Sequence, residues 1–169
     1  RMTTRRVERK LYSHDIGEMP SLIKPLIGTP LADAVVQPES EAEVVALTTW
    51  AAREGVPLVP RGKATSGYGG VLPVKGGVVV DFFRMAALLD VDPEARTATL
   101  QPGIVWESAD RALKTHGMTL RTYPSSYPSA TAGGWLAQGG AGFGSFEAGW
   151  FRDNVVSARV VLGDGSVGV

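Results

Sequence analysis

A chain of 169 residues, 44% hydrophobic and 20% charged, is long enough for one domain with a sizeable core. Its 17 basic residues balance 17 acidic ones, which excludes a global field drawing it to nucleic acid or to an acidic membrane. It contains no cysteine, which excludes a disulfide framework, a cysteine-ligated metal and a thiol nucleophile; this composition fits a reducing compartment, and a cytoplasmic location is expected.

The first ten residues, RMTTRRVERK, are basic, but LYSHDIGEMP follows them and is no apolar signal core, so secretion is rejected. No apolar run approaches the roughly 20 residues of a membrane span. Arg1, Arg5, Arg6, Arg9 and Lys10 read as a solvated arm. Residues 1–33 read as an N-terminal extension, with a short helix near Ser21 to Leu26. Ala34 to Val36 is a short buried strand ended by Pro38. Ser40 and Glu43 form a capping box, Val44, Leu47 and Ala51 share a helical face, Trp50 falls at core spacing, and Gly55 closes the helix. VPLVP is the next strand, completing a β-α-β unit, and "PRGKATSGYGG" follows it as a loop. GGVVVDF is another strand, and LLDVD and TATLQPG form a hairpin about PEAR. Val105 to His116 is helical with Gly117 as its stop, and His116 serves as a partner of the helix dipole. Residues 121–154 form a long loop rich in proline, serine and glycine, and such a loop is usually functional. VVSARVVL is the last strand, and Asp164-Gly165 turns the chain. There is no internal repeat, and the class is α+β.

Glycine, at 21 residues, is clustered in the loops, so phosphate binding is the chemistry to test. The P-loop pattern fails because Ala64 stands where a hydroxyl must follow Gly62-Lys63. Gly163, Gly165 and Gly168 satisfy G-x-G-x-x-G, but Asp-Gly suits a hairpin turn better than a helix start. Two glycine loops converging on one diphosphate remain. The amides of Arg61 to Gly67 form a nest, with the hydroxyls of Thr65 and Ser66 beside it. Ser129, Ala130 and Thr131 lead into Gly133-Gly134 and WLAQ, a short helix whose free amides would favour an anion.

In this order and spacing the chain resembles the FAD-binding, PCMH-type domain of the vanillyl-alcohol oxidase superfamily, in its glycolate oxidase and D-lactate dehydrogenase branch. The family's P-R-G-x-G-T-G-x-x-G-G is met at Pro60, Arg61, Gly62, Thr65, Gly69 and Gly70. P-S-S-x-x-x-x-T-I-G-G-N-I-A is met at Pro124, Ser125, Ser126, Thr131, Gly133, Gly134 and Ala137, and Y-G-x-x-R-D at Gly149, Arg152 and Asp153. Lys63-Ala64 replaces a small residue and glycine, and Trp135 replaces asparagine. Where berberine-bridge-type relatives carry a histidine bonded to the flavin, this chain has Thr65, so the resemblance implies non-covalent FAD.

That resemblance implies two small α/β subdomains with FAD between them, over residues 34–169, incomplete at the C-terminus. It implies contacts to FAD from Arg61, Gly62, Lys63, Ala64, Thr65, Ser66, Gly67 and Gly70. Further contacts are implied at Pro124, Ser125, Ser129, Ala130, Thr131, Gly133, Gly134, Trp135, Ala137, Gly139, Gly149 and Val155. Trp135 and Trp150 are both expected against the isoalloxazine, with core packing as the alternative for each. The implied activity is oxidation of a 2-hydroxy acid or similar alcohol by hydride transfer to FAD N5. The implied partners are a small-molecule substrate and either an electron-transfer partner or a C-terminal substrate domain. A non-catalytic flavin-binding subunit and an enolpyruvyl-glucosamine reductase type are the alternatives. No catalytic base and no metal ligand is assigned; His14 and His116 lie outside the motifs.

Overall fold

The structure, a computed structural model, describes residues 1–17, 20, 22, 25 and 30–169. The helix expected near Ser21 to Leu26 lies outside the described residues. The chain divides into two compact units, Arg1–Phe82 with Arg159–Val169, and Phe83–Ala158.

The first unit is built on a four-stranded sheet of β1 (Met2–Thr3), β2 (Ala34–Val36), β4 (Val78–Asp81) and β3 (Leu58–Arg61), in that spatial order. Strands β2, β4 and β3 are parallel, while β1 pairs antiparallel on the edge of β2. All four residues of β4 are buried, as the central strand of a parallel sheet demands, and this is why it reads as an unbroken Val-Val-Val run. The basic arm is corrected here. Met2 and Thr3 pair with Val36 and Val35, and helix α1 (Arg6–Leu11) follows; only side chains such as those of Arg5, Arg6 and Lys10 stay in solvent.

Helix α2 (Glu41–Glu54) connects β2 to β3. Ser40 Oγ accepts the Glu43 amide at 3.3 Å, and Glu43 returns the bond one residue early, to the Glu39 amide at 2.9 Å. Gly55 closes the helix in the left-handed conformation, and Val56 N donates to Ala51 O. Val44 and Ala51 are buried, but Trp50 is 40% exposed, so its expected core role is wrong. The expected strand VVSARVVL shrinks to β7 (Val160–Val161), which pairs with β8 (Val167–Gly168) across Asp164-Gly165. The motif's own residues form the hairpin turn and β8 rather than a helix start, which disposes of the G-x-G-x-x-G match.

The second unit begins with the hairpin of β5 (Leu88–Asp92) and β6 (Thr97–Leu100), followed by helix α3 (Trp106–Lys114). His116 thus falls beyond the helix rather than in its last turn. The stretch 121–154 is less loop-like than expected. It contains α4 (Ala132–Ala137), α5 (Ser145–Ala148) and a 3₁₀ turn at Phe151–Asn154. Its core is aromatic: Trp106 meets Trp135 and Phe151 edge-on at 5.5 and 5.0 Å, and Trp135 stacks on Phe151 at 4.9 Å. Among the described residues, no helix is long and apolar enough to cross a membrane.

Asp110 ties this unit together. Its side chain is 7% exposed and accepts from Lys114 Nζ at 2.6 Å, Tyr127 Oη at 2.8 Å and Thr119 Oγ1 at 3.0 Å. Burial works against its charge, but the hydrogen bonds from Lys114, Tyr127 and Thr119 outweigh it and hold the carboxyl below the usual aspartate range. A folded pKa below the unfolded one stabilises above the unfolded value, and that contribution is lost as pH falls through the folded one. Urea unfolding at neutral pH should therefore show Asp110→Asn less stable by about 1–3 kcal/mol. Below about pH 4 the difference should shrink; a gap that stays constant with pH would rule this ionic network out.

Candidate functional site

The parallel register puts the carboxyl ends of β2, β4 and β3 side by side, the end of such sheets where ligands bind. Three polar residues stand there: Gln37, Asp81 and Arg61. The Asp81 carboxylate, 4% exposed, accepts from Gln37 Nε2 at 2.7 Å, and the same nitrogen lies 3.1 Å from Tyr12 Oη. Burial pushes the Tyr12 hydroxyl above its usual pKa, and Asp81 adds to the effect.

Arg61 opens the first glycine loop, and its guanidinium is already engaged. It donates to the carbonyls of His14 at 2.7 Å and Tyr12 at 3.2 Å, and lies 5.4 Å from the Tyr12 ring centre. Burial pulls its pKa down against the opposing pull of Asp81. This side chain is no free surface charge; it anchors residues 12–14 to the start of the loop.

The loop beyond it is shaped as a donor surface. Ala64, Gly67 and Gly69 take positive φ of 54°, 70° and 78°. Ala64 thus keeps the left-handed backbone that a glycine adopts freely, at a cost of about 1–2 kcal/mol, with its methyl buried. The Ala64, Ser66 and Gly67 amides donate to no backbone carbonyl among the described residues, whereas Gly69 N donates to Asp15 Oδ2 at 2.8 Å. Gly62, Thr65 and Ser66 are half-buried, and Lys63 and Gly70 are exposed.

The second glycine segment behaves differently. Ser129 and Ala130 amides donate to Ser126 O, Ala132 N to Ile104 O at 3.0 Å, and Gly133 N to Pro102 O at 2.9 Å. The amides expected to stand free at the start of α4 are therefore mostly paired within the protein. Gly133 is glycine because Pro102 lies beneath it: a Cβ would come within 2.7 Å of the Pro102 Cβ. Trp135, 4% exposed, is a core residue, and Trp150, 49% exposed, carries the Arg152 guanidinium 5.4 Å from its ring centre. Ser125, Ser129, Gly134 and Ala137 are exposed, Pro124, Ala130 and Thr131 are buried, and Gly139, Gly149 and Val155 are half-buried.

Tyr12, His14, Asp15, Ile16 and Gly17 are contacts of the first loop that sequence reasoning missed. One signal was available: Asp-x-Gly is a turn, and Asp15 Oδ1 does accept the Gly17 amide at 2.9 Å.

A family profile described as "FAD binding domain" matches residues 32–168. The chain is 35% identical over 137 residues to a glycolate oxidase subunit of Bacillus subtilis, covering 81% of this chain and 29% of that one. It is 36% identical over 137 residues to a mitochondrial D-lactate dehydrogenase [cytochrome] of Arabidopsis thaliana, covering 81% and 24%. A solved alkyldihydroxyacetonephosphate synthase superposes with a TM-score of 0.86 at 29% identity, over 98% of this chain and 31% of that one. The chain thus spans about a third or less of each of these relatives.

If Gly133 serves packing, Gly133→Ala should lower stability by about 1–3 kcal/mol in urea unfolding. Parental stability would show that Pro102 yields and that the glycine answers to something else.

Proposed function

The chain belongs to the FAD-binding domain family, and from that membership we propose that it is the cofactor-binding part of a flavin-dependent oxidoreductase acting on a 2-hydroxy acid or similar alcohol. The observation that carries the reading is the first loop: amides of Ala64, Ser66 and Gly67 with no backbone acceptor among the described residues, beside positive-φ positions at Ala64, Gly67 and Gly69, at the carboxyl end of a parallel sheet. That donor set fits a diphosphate, which needs several N–H groups and no competing carbonyl. FAD, when bound, supplies a two-electron acceptor for hydride.

The residues of this chain bind and orient. The amides of Ala64, Ser66 and Gly67 and the hydroxyls of Thr65 and Ser66 would hold the phosphates, and Arg61 ties the start of the loop to residues 12–14. In the second unit, the exposed Ser125, Ser129, Gly134 and Ala137 are the proposed cofactor contacts, while Ala130, Thr131, Gly133 and Trp135 shape the backbone that carries them. Gly139, Gly149 and Val155 remain in the proposed set, half-buried. Thr65 offers a hydroxyl and no ring nitrogen, and no cysteine exists in the chain, which supports non-covalent FAD. Residues that touch substrate and accept its proton are assigned to the rest of a longer protein, in keeping with the share of its relatives that this chain covers. A second reading, a flavin-carrying subunit within a complex, draws on the printed name of the Bacillus subtilis relative, which is itself a subunit. A cytoplasmic location belongs to the same proposal and rests on the cysteine-free composition.

The purified protein should be yellow, and acid precipitation should leave the colour in the supernatant. A colourless protein that takes up no added FAD would overturn the cofactor reading; colour that stays with the precipitate would overturn non-covalent attachment.

A further inference from the structure

Residues 12–17 cross the first glycine loop from one end to the other. At the near end, the Tyr12 and His14 carbonyls accept from Arg61. In the middle, Ile16 N donates to Ala64 O at 3.2 Å, and Gly17 sits so close that a Cβ there would run into the Gly67 carbonyl. At the far end, Asp15 Oδ2 accepts from Gly69 N at 2.8 Å, while its other oxygen is held by the Gly17 amide. A charged acceptor makes this last bond about twice as strong as a neutral one.

A loop this rich in glycine loses much conformational freedom on ordering, and a ligand that had to order it would bind correspondingly weakly. The crossing segment removes that penalty in advance. It engages the side chain of Arg61, the carbonyl of Ala64 and the amide of Gly69, lies against the Gly67 carbonyl, and leaves the Ala64, Ser66 and Gly67 amides with no backbone acceptor among the described residues.

We propose that residues 12–17 are a clasp that pre-forms the anion-binding conformation of loop 61–70, with Asp15 and Gly17 as positioning residues; this rests on the reading of that loop as a cofactor cradle. Asp33 supplies a natural control. It makes the same kind of bond in the same unit, from Gly77 N at 2.7 Å, at the entrance to β2 and away from the loop.

The test measures amide hydrogen exchange without flavin, and FAD affinity, on the full chain and on Asp15→Ala, Asp15→Asn, Gly17→Ala and Asp33→Ala. Exchange at Gly69 should quicken about tenfold in Asp15→Ala while Val79 in the sheet keeps its protection. The FAD dissociation constant should rise about tenfold in Asp15→Ala and Gly17→Ala, less in Asp15→Asn, which keeps one acceptor oxygen, and no more than about twofold in Asp33→Ala. Parental loop exchange in Asp15→Ala overturns the clasp. So does an equal loss of affinity in Asp15→Ala and Asp33→Ala, which reduces the contact to general stability. If the parent takes up no FAD, the cofactor reading falls, and loop exchange in the same variants still decides whether the clasp exists. Should Asp15→Ala not fold, Asp15→Asn and Gly17→Ala carry the comparison.

Discussion

The Arg61 guanidinium leaves the carboxyl end of β3, passes 5.4 Å from the Tyr12 ring centre and donates to two carbonyls of the segment 12–14. Around it the carboxyl end of the first unit's parallel strands is arranged. Because Arg61 pairs with Asp81 in the parallel register, the buried carboxylate lies at the same end of the sheet, where it accepts from Gln37 Nε2, a nitrogen shared with Tyr12 Oη. A partly buried cation is tolerable only while such partners remain, since removing one strands the others away from water. One charge thus couples the sheet, the N-terminal segment and the exit direction of the glycine loop.

The second unit solves a different problem with the same residue type. Its glycines let backbone lie on backbone or on rings: Gly133 on Pro102, and Gly140 on Phe151 and Trp135. The amides freed by such close approach are mostly returned to nearby carbonyls. Glycine content alone therefore does not separate a ligand cradle from dense packing. Where the N–H groups go does, because an amide already bonded to Pro102 or Ile104 has nothing left for a phosphate.

Much of the fold was legible from local chemistry. The strand Ala34–Val36, the capped helix ending at Gly55, the Val-Val-Val strand and the 88–100 hairpin occur where pattern and punctuation put them. Family membership was legible too, in the spacing of "PRGKATSGYGG" and the later glycine pairs. The failures share a cause. Trp50 occupied a plausible core position on its helix but faces solvent, because the buried stripe of α2 runs through Val44 and Ala51. The basic start became an edge strand and a helix, and most of VVSARVVL did not pair. Each depended on which neighbour was present, and periodicity carries no neighbour.

The sequence by itself determined the cofactor class and the local elements, because turn residues, caps and glycine spacing act within a few positions of one another. Tertiary structure alone decided what those glycines and charges are for. Arg61 and Asp15 are separated by 46 positions, and no local rule relates them; the sheet register and the path of residues 12–17 bring them to one loop. Ala64 shows the division most plainly. Its substitution for glycine was visible in the chain, but its left-handed backbone, held by the Ile16 amide and the surrounding contacts, exists only in the folded unit.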